Sequence, residues 1–159
     1  QPEANSYYYA FNWGYKHMKP VAYAEQYIEE MGGQVYDYKL FMVNGKFRFM
    51  FIATDRYKGE TSLTYDFFDS DFKRHPFFYG KGGHAKAPLE RPAHFNEMVA
   101  MAERLAAPFP FVRVDFYEIG DRIMVGEMTF YSGGGMLPFD PPIWDWKLGD
   151  EIVLPEKRI

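Results

Sequence analysis

Apolar and polar residues alternate through "DYKLFMVNGKFRFMFIATD", residues 37–55, and the pattern reverses about Asn44-Gly45. Alternation with period two predicts strands on either side. Asn-Gly is the preferred pair for a two-residue type I′ turn, which needs positive φ at both positions. Closed this way, the hairpin pairs Val43 with Lys46, Phe41 with Arg48 and Lys39 with Met50. Tyr38, Leu40 and Met42 then share an apolar face with Phe47, Phe49 and Phe51. The opposite face mixes Asp37, Lys39 and Arg48 with Phe41, Val43, Met50 and Ile52, the character of a half-buried face around a ligand.

Elsewhere the pattern is shorter. "PVAYAEQYI" reads as a strand running to Ile28, and "EEMGGQ" as its connector. "TSLTYDFFDSDF" predicts a strand and turn, and "KRHPFFYGKGGHAKAPLERP" a loop. One helix is clear: Phe95, Met98, Val99, Ala102 and Leu105 recur three or four apart, His94 stands at the cap and Pro108 ends it. A second hairpin follows over 112–130, then a glycine run, then a short final helix within "PFDPPIWDWKLGDEIV". Antiparallel hairpins with one main helix predict an α+β fold, with residues 1–159 as a single domain.

Composition narrows the function. Aromatics make up 20% of the 159 residues, which suits strands and broad packed sheet faces. A net charge of −4 gives no electrostatic reason to expect nucleic acid or an anionic membrane. The absence of cysteine removes disulfides, thiolate zinc sites and cysteine nucleophiles, and fits a cytoplasmic setting. No apolar run approaches the roughly 20 residues of a membrane span. His17, His75, His84 and His94 lack the spacing of a histidine metal site. "GKGGHAK" lacks the G-K-[ST] ending of a phosphate loop and reads as a surface loop, and Lys73 as a solvated lysine.

The second hairpin carries the candidate chemistry. Alternation puts Arg113 and Asp115 on one face of the outgoing strand, and Glu127 and Thr129 on one face of the return. A three-residue loop around Asp121, with Gly120 left-handed, sets Asp115 opposite Glu127 and Arg113 opposite Thr129. A two-residue loop sends the carboxylates to opposite faces. Facing carboxylates repel unless a proton, an arginine or a metal cation lies between them. Two readings follow: Arg113 ion-pairs with one or both acids, or magnesium, which favours oxygen ligands, bridges them.

These residues resemble a known family. "FPFVRVDFYEIGDRIMVGEMTFYSGGGMLPFDPPIWDWKLG" is similar to the C-terminal signature of the ATP-grasp superfamily, in its TupA-like branch of teichuronopeptide and polysaccharide biosynthesis. The likeness runs from "WGYKHMKPVAYAEQYI" onward. It implies ATP and Mg2+ as cofactors, with Asp115 and Glu127 as metal ligands and Arg113 on phosphate or on an acyl phosphate. Thr129 stands where many members have a metal-binding asparagine. The adenine hinge resembles "AEQYI", which implies Glu25, Gln26 and Ile28 around the adenine and Asp37 near the ribose hydroxyls. From the residues themselves, Lys39 and Arg48 share the mixed face with Asp37, where an internal ion pair is the plain reading and a ligand contact the other; Lys39 is placed with the cofactor-facing set. The family's N-terminal lobe has no counterpart before Val21, so the chain reads as the C-terminal part of an ATP-grasp domain, a reading that the start at Gln1 supports.

The implied activity is a carboxylate–amine ligase: ATP phosphorylates a carboxylate, and an amine attacks the acyl phosphate. Its substrates are small or polymer-linked carboxylates and amines. Two rivals stand beside it: a non-catalytic nucleotide-binding or interaction domain, and a glycosyltransferase of polysaccharide synthesis. An apolar surface left by a missing lobe suits pairing with a second copy.

Overall fold

The computed structural model describes residues 13–19, 21–26, 36–54, 64–79, 84–85 and 87–156. Among them run the strands β1 (Asp37–Val43), β2 (Lys46–Thr54), β3 (Thr64–Phe68) and β4 (Phe78–Tyr79), then the helix α1 (Phe95–Ala106). The strands β5 (Phe111–Ile119), β6 (Arg122–Thr129) and β7 (Phe139–Asp140) follow, and the helix α2 (Ile143–Gly149) comes last. Five strands form one antiparallel sheet in the order β3-β2-β1-β5-β6, and β4 pairs with β7 in a small second sheet. The α+β architecture is the one the hairpin pattern predicts. No helix among the described residues is long and apolar enough to cross a membrane.

Alternation along the strands divides the sheet into two faces, and each face has its own core. Tyr38, Leu40, Met42, Met50, Ile52, Val112, Val114 and Phe116 pack on the side of α1, against Phe95, Met98, Ala102 and Ala106. Phe41, Phe49, Phe51 and Phe67 pack on the other side with Phe77, Tyr79 and Leu148, and Phe139 and Trp144 lie against them. The rings on this second side meet mostly edge-on or tilted, with Phe67–Phe77 centroids 4.9 Å apart, the geometry aromatic quadrupoles favour. With both faces covered, every residue of central β1 is buried. That includes its charged residues, Asp37 and Lys39.

The first hairpin departs from the simple register. Asn44 (φ 51) and Gly45 (φ 75) make the predicted turn, and Val43 pairs with Lys46. Beyond Met42–Phe47 a β-bulge makes Arg48 an extra residue, so Phe41 pairs with Phe49 and Lys39 with Phe51. The predicted pairings of Phe41 with Arg48 and Lys39 with Met50 are therefore corrected. One extra residue exchanges the two faces beyond it, which moves Phe49 and Phe51 to the side of Phe41 and Lys39. Arg48 leaves the ladder and binds Glu151 through Nε at 2.6 Å and Nη2 at 2.9 Å.

The second hairpin reaches the predicted pairing by another route. Its loop is the two-residue Gly120–Asp121 between Ile119 and Arg122, with Gly120 at φ 61, and not a three-residue loop. A bulge at Gly126 then restores the register, so Asp115 does oppose Glu127 and Arg113 does oppose Thr129. A Cβ on Gly126 would lie 2.8 Å from the Tyr117 ring, so this crossing suits a glycine.

Two further expectations are corrected. Val21–Gln26 is exposed and has no strand pairing, so the strand reading of "PVAYAEQYI" fails over its described part; Ile28 lies outside the described residues. With no neighbouring strand among the described residues and no buried side, apolar composition alone does not hold an extended segment in a sheet. His94 occupies the cap position of α1 but makes no side-chain cap bond. Its backbone N–H and Nδ1 both face Glu118 Oε1, at 2.8 and 2.7 Å, which ties the helix start to β5 instead.

Candidate functional site

Three adjacent strands place a row of charge across the second face of the sheet. Lys39 of β1 pairs with Asp115 of β5, and Asp115 pairs with Glu127 of β6. One row along, Arg113 lies between Phe41 and Thr129. Directly paired residues share a face, so the register alone brings these side chains together. Phe41, Phe111 and Tyr79 supply an aromatic flank, with the Phe41–Tyr79 centroids 6.2 Å apart.

Asp115 is the centre and is 1% exposed. Its Oδ1 accepts Arg113 Nε at 2.7 Å, and its Oδ2 accepts Arg113 Nη2 at 2.7 Å, a bidentate pair. The Lys39 ammonium also donates to Asp115 Oδ2 and reaches Asp37 Oδ2 at 2.7 Å. Toward the sheet edge, Arg113 Nη2 donates to Glu127 Oε1 at 2.6 Å and to Thr129 Oγ1 at 3.0 Å. Thr129 Oγ1 in turn donates to Glu127 Oε1 at 3.0 Å. Glu127 is the open end of the row, its side chain 60% exposed.

Burial would lower the Arg113 pKa, but the Asp115 hydrogen bonds and the charges of Asp115, Glu127 and Asp37 outweigh it and raise it. The guanidinium is thus fixed in its charged form. Three carboxylates (Asp37, Asp115, Glu127) face two cations (Lys39, Arg113), so the row keeps an excess of negative charge.

Two residues of the site have no signal in the strand pattern. Ser132 Oγ accepts Arg113 Nη1 at 3.0 Å, and the Tyr79 hydroxyl donates to the Ser132 carbonyl at 3.1 Å. Ser132 opens a tight turn in which Gly133, Gly134 and Gly135 all have positive φ, so the three glycines hold Ser132 beneath the guanidinium. The "YSGGG" run marks a turn in the sequence, but nothing in it marks Ser132 as a partner of Arg113.

Of the predicted residues, the structure brings together Arg113, Asp115, Glu127, Thr129, Lys39 and Asp37. Glu25 and Gln26 lie on the exposed segment Val21–Gln26, and among the described residues no hydrogen bond or ion pair joins them to the cluster. Ile28, and most of "GKGGHAK", lie outside the described residues. His84 is described: its Nδ1 is hydrogen-bonded to buried Asp66 on edge strand β3. Lys73 is exposed, as predicted.

The donor set suits magnesium in kind: two carboxylates and a hydroxyl, all hard oxygens, on facing strands. Among the described residues no group of three or more Asp, Glu, His or Cys converges on one metal position, so a metal here would have at most this pair of carboxylates. Magnesium commonly binds with one or two carboxylates and completes its shell with water and phosphate. The space between the two acids holds Arg113 Nη2.

No curated protein and no solved structure matches the chain. A family model does, that of TupA-like ATPgrasp, over residues 2–153, and its span includes every residue of the charged row. The chain belongs to the TupA-like ATP-grasp family.

Proposed function

We propose that this chain serves as the nucleotide- and metal-facing lobe of a magnesium- and ATP-dependent carboxylate–amine ligase in cell-surface polysaccharide or teichuronopeptide biosynthesis. The observation that carries the reading is the convergence of Asp115, Glu127, Thr129 and Arg113 on one sheet face, in a chain of an ATP-grasp family. Glu127, with Asp115 behind it, would hold magnesium, and Thr129 would offer its hydroxyl. When bound, the metal supplies positive charge against the phosphoryl group in transfer.

The remaining work falls to the chain's own residues. Lys39 and Arg113 hold the acids in place by direct contacts, so little reorganisation is needed when an anionic substrate arrives. Arg113 has five N–H donors. Nη1 is bound to Ser132, and the Nη2 side, toward Glu127 and Thr129, is where the guanidinium would meet a phosphate or acyl-phosphate oxygen. Asp37 and Lys39 border the site on the side of the proposed ribose contact. No protein nucleophile is needed, because the acyl phosphate is formed on the substrate carboxylate. The reading includes a cytoplasmic setting, since ATP is the co-substrate.

One observation favours a second reading. The acids are already neutralised in large part by internal cations, as in a non-catalytic nucleotide-binding domain. Product analysis separates the two. ADP release that requires both a carboxylate and an amine supports the ligase. ATP binding without ADP release under any such pair supports the binding domain.

A further inference from the structure

Arg113 Nη2 sits 2.7 Å from Asp115 Oδ2 and 2.6 Å from Glu127 Oε1, the place where a cation shared by the two acids has to stand. Magnesium holds its oxygen ligands at about 2.0–2.1 Å. An ion bridging this pair and the guanidinium therefore cannot share the position. Asp115 cannot turn away to meet a metal elsewhere, because it is 1% exposed and held by Lys39 on its other flank. A dication added beside Lys39 and Arg113 would also meet two like charges in a region of low dielectric.

We propose that Arg113 is the resident counter-ion of the acid pair, and that magnesium gains Asp115 and Glu127 only by displacing its guanidinium from between them. The site thus exchanges an internal cation for a metal. The inference deepens the ligase reading and rests on its assignment of the two acids as metal-facing. Geometry shows which bonds break. The contacts of Nη2 with Glu127 and Thr129 lie on the open side of the row, whereas Nη1 is tethered inward to Ser132. Tyr79 braces Ser132 through the Ser132 carbonyl. Ser132 is therefore a positioning residue: it biases Arg113 toward the position that excludes metal.

The test uses magnesium chloride without nucleotide, titrated calorimetrically into the intact chain and two variants. Arg113→Met removes the resident cation and should bind magnesium roughly tenfold or more tighter, the scale of a lost competing charged hydrogen bond. Ser132→Ala keeps every charge and should tighten binding by about threefold, as expected for loss of one neutral-acceptor bond. It also covers the case in which Arg113→Met does not fold. In the wild-type chain the Arg113 Nε–H nuclear magnetic resonance signal, sheltered by its bond to Asp115, should move in step with metal saturation. Equal or weaker binding by both variants, or an Nε–H signal that stays still while the chain saturates, overturns the exchange. So does the absence of magnesium binding by all three proteins. Wild-type binding of magnesium-ATP with no tightening in the variants would leave the ligase reading standing alone. Magnesium uptake by Arg113→Met in a chain that binds no nucleotide would keep the exchange and remove the ligase.

Discussion

Replacing Lys39 with methionine tests whether the charged row is a buried network or a set of surface pairs. The Lys39 side chain is 8% exposed, and it contacts Asp37 and Asp115, whose side chains are 5% and 2% exposed. Methionine keeps the length and the apolar stem but leaves the two carboxylates without their ammonium. Breaking a buried pair from one side costs about 3–5 kcal/mol. Asp115 keeps both of its Arg113 bonds, which puts the expected loss at the lower end, about 3 kcal/mol. Urea unfolding at neutral pH measures it as a fall in midpoint at constant slope. Adding Asp37→Asn to Lys39→Met removes one of the two charges that faced the ammonium, so the double variant should recover part of the loss, a coupling that a double-mutant cycle isolates. A loss below about 1 kcal/mol, the level of exposed ion pairs, would refute the argument that the row is desolvated.

Three further outcomes follow from the packing. His75 borders the second core, stacked on Phe77 at 4.7 Å, with its Nε2 buried and without a hydrogen-bond partner among the described residues; burial lowers its pKa from the ordinary 6.5, Asp69 opposes this next, and Arg48 adds a smaller lowering. The unfolded chain then takes up the proton at a higher pH than the folded one, so stability should fall as pH drops below 6.5, and His75→Phe should flatten that slope between pH 7 and 5. Arg48→Ala removes the bidentate hold on Glu151, whose carbonyl also accepts Asn44 Nδ2 at 2.7 Å. It should cost about 1 kcal/mol and speed amide exchange at Val153, whose N–H is bound to Asn44. Phe67→Ala empties a site that is 1% exposed and should cost about 3–5 kcal/mol in the same urea assay.

What could be read from the sequence divides along physical lines. Turn chemistry was legible, because Asn44-Gly45 and Gly120 need positive φ whatever surrounds them. The pairing of Asp115 with Glu127 was legible in outcome but not in route. A bulge inserts one residue without any change in composition, and Gly126 reads as an ordinary strand residue until its contact with Tyr117 is known. The Arg48 bulge hid in the same way. Its cost was larger, because every residue beyond it changed face. The strands β4 and β7, two residues each, are too short to show any period. Ser132 and Tyr79 join the site through tertiary contact between segments 53 residues apart, which no local pattern records. The strand pattern leaves the positive partner between the acids open between arginine and magnesium. Arg113 occupies that position in the folded chain.

On the proposed function, the row ending in Glu127 is the cation-facing edge of a nucleotide site. Calorimetric titration of ATP into the intact chain, with magnesium and then with EDTA, and again into Glu127→Gln, tests it most directly. Glu127 is the exposed member of the row, so its amide should leave the fold intact. Binding should require magnesium and weaken at least about tenfold in the variant. Binding that is equal with EDTA, or equal in Glu127→Gln, would contradict it.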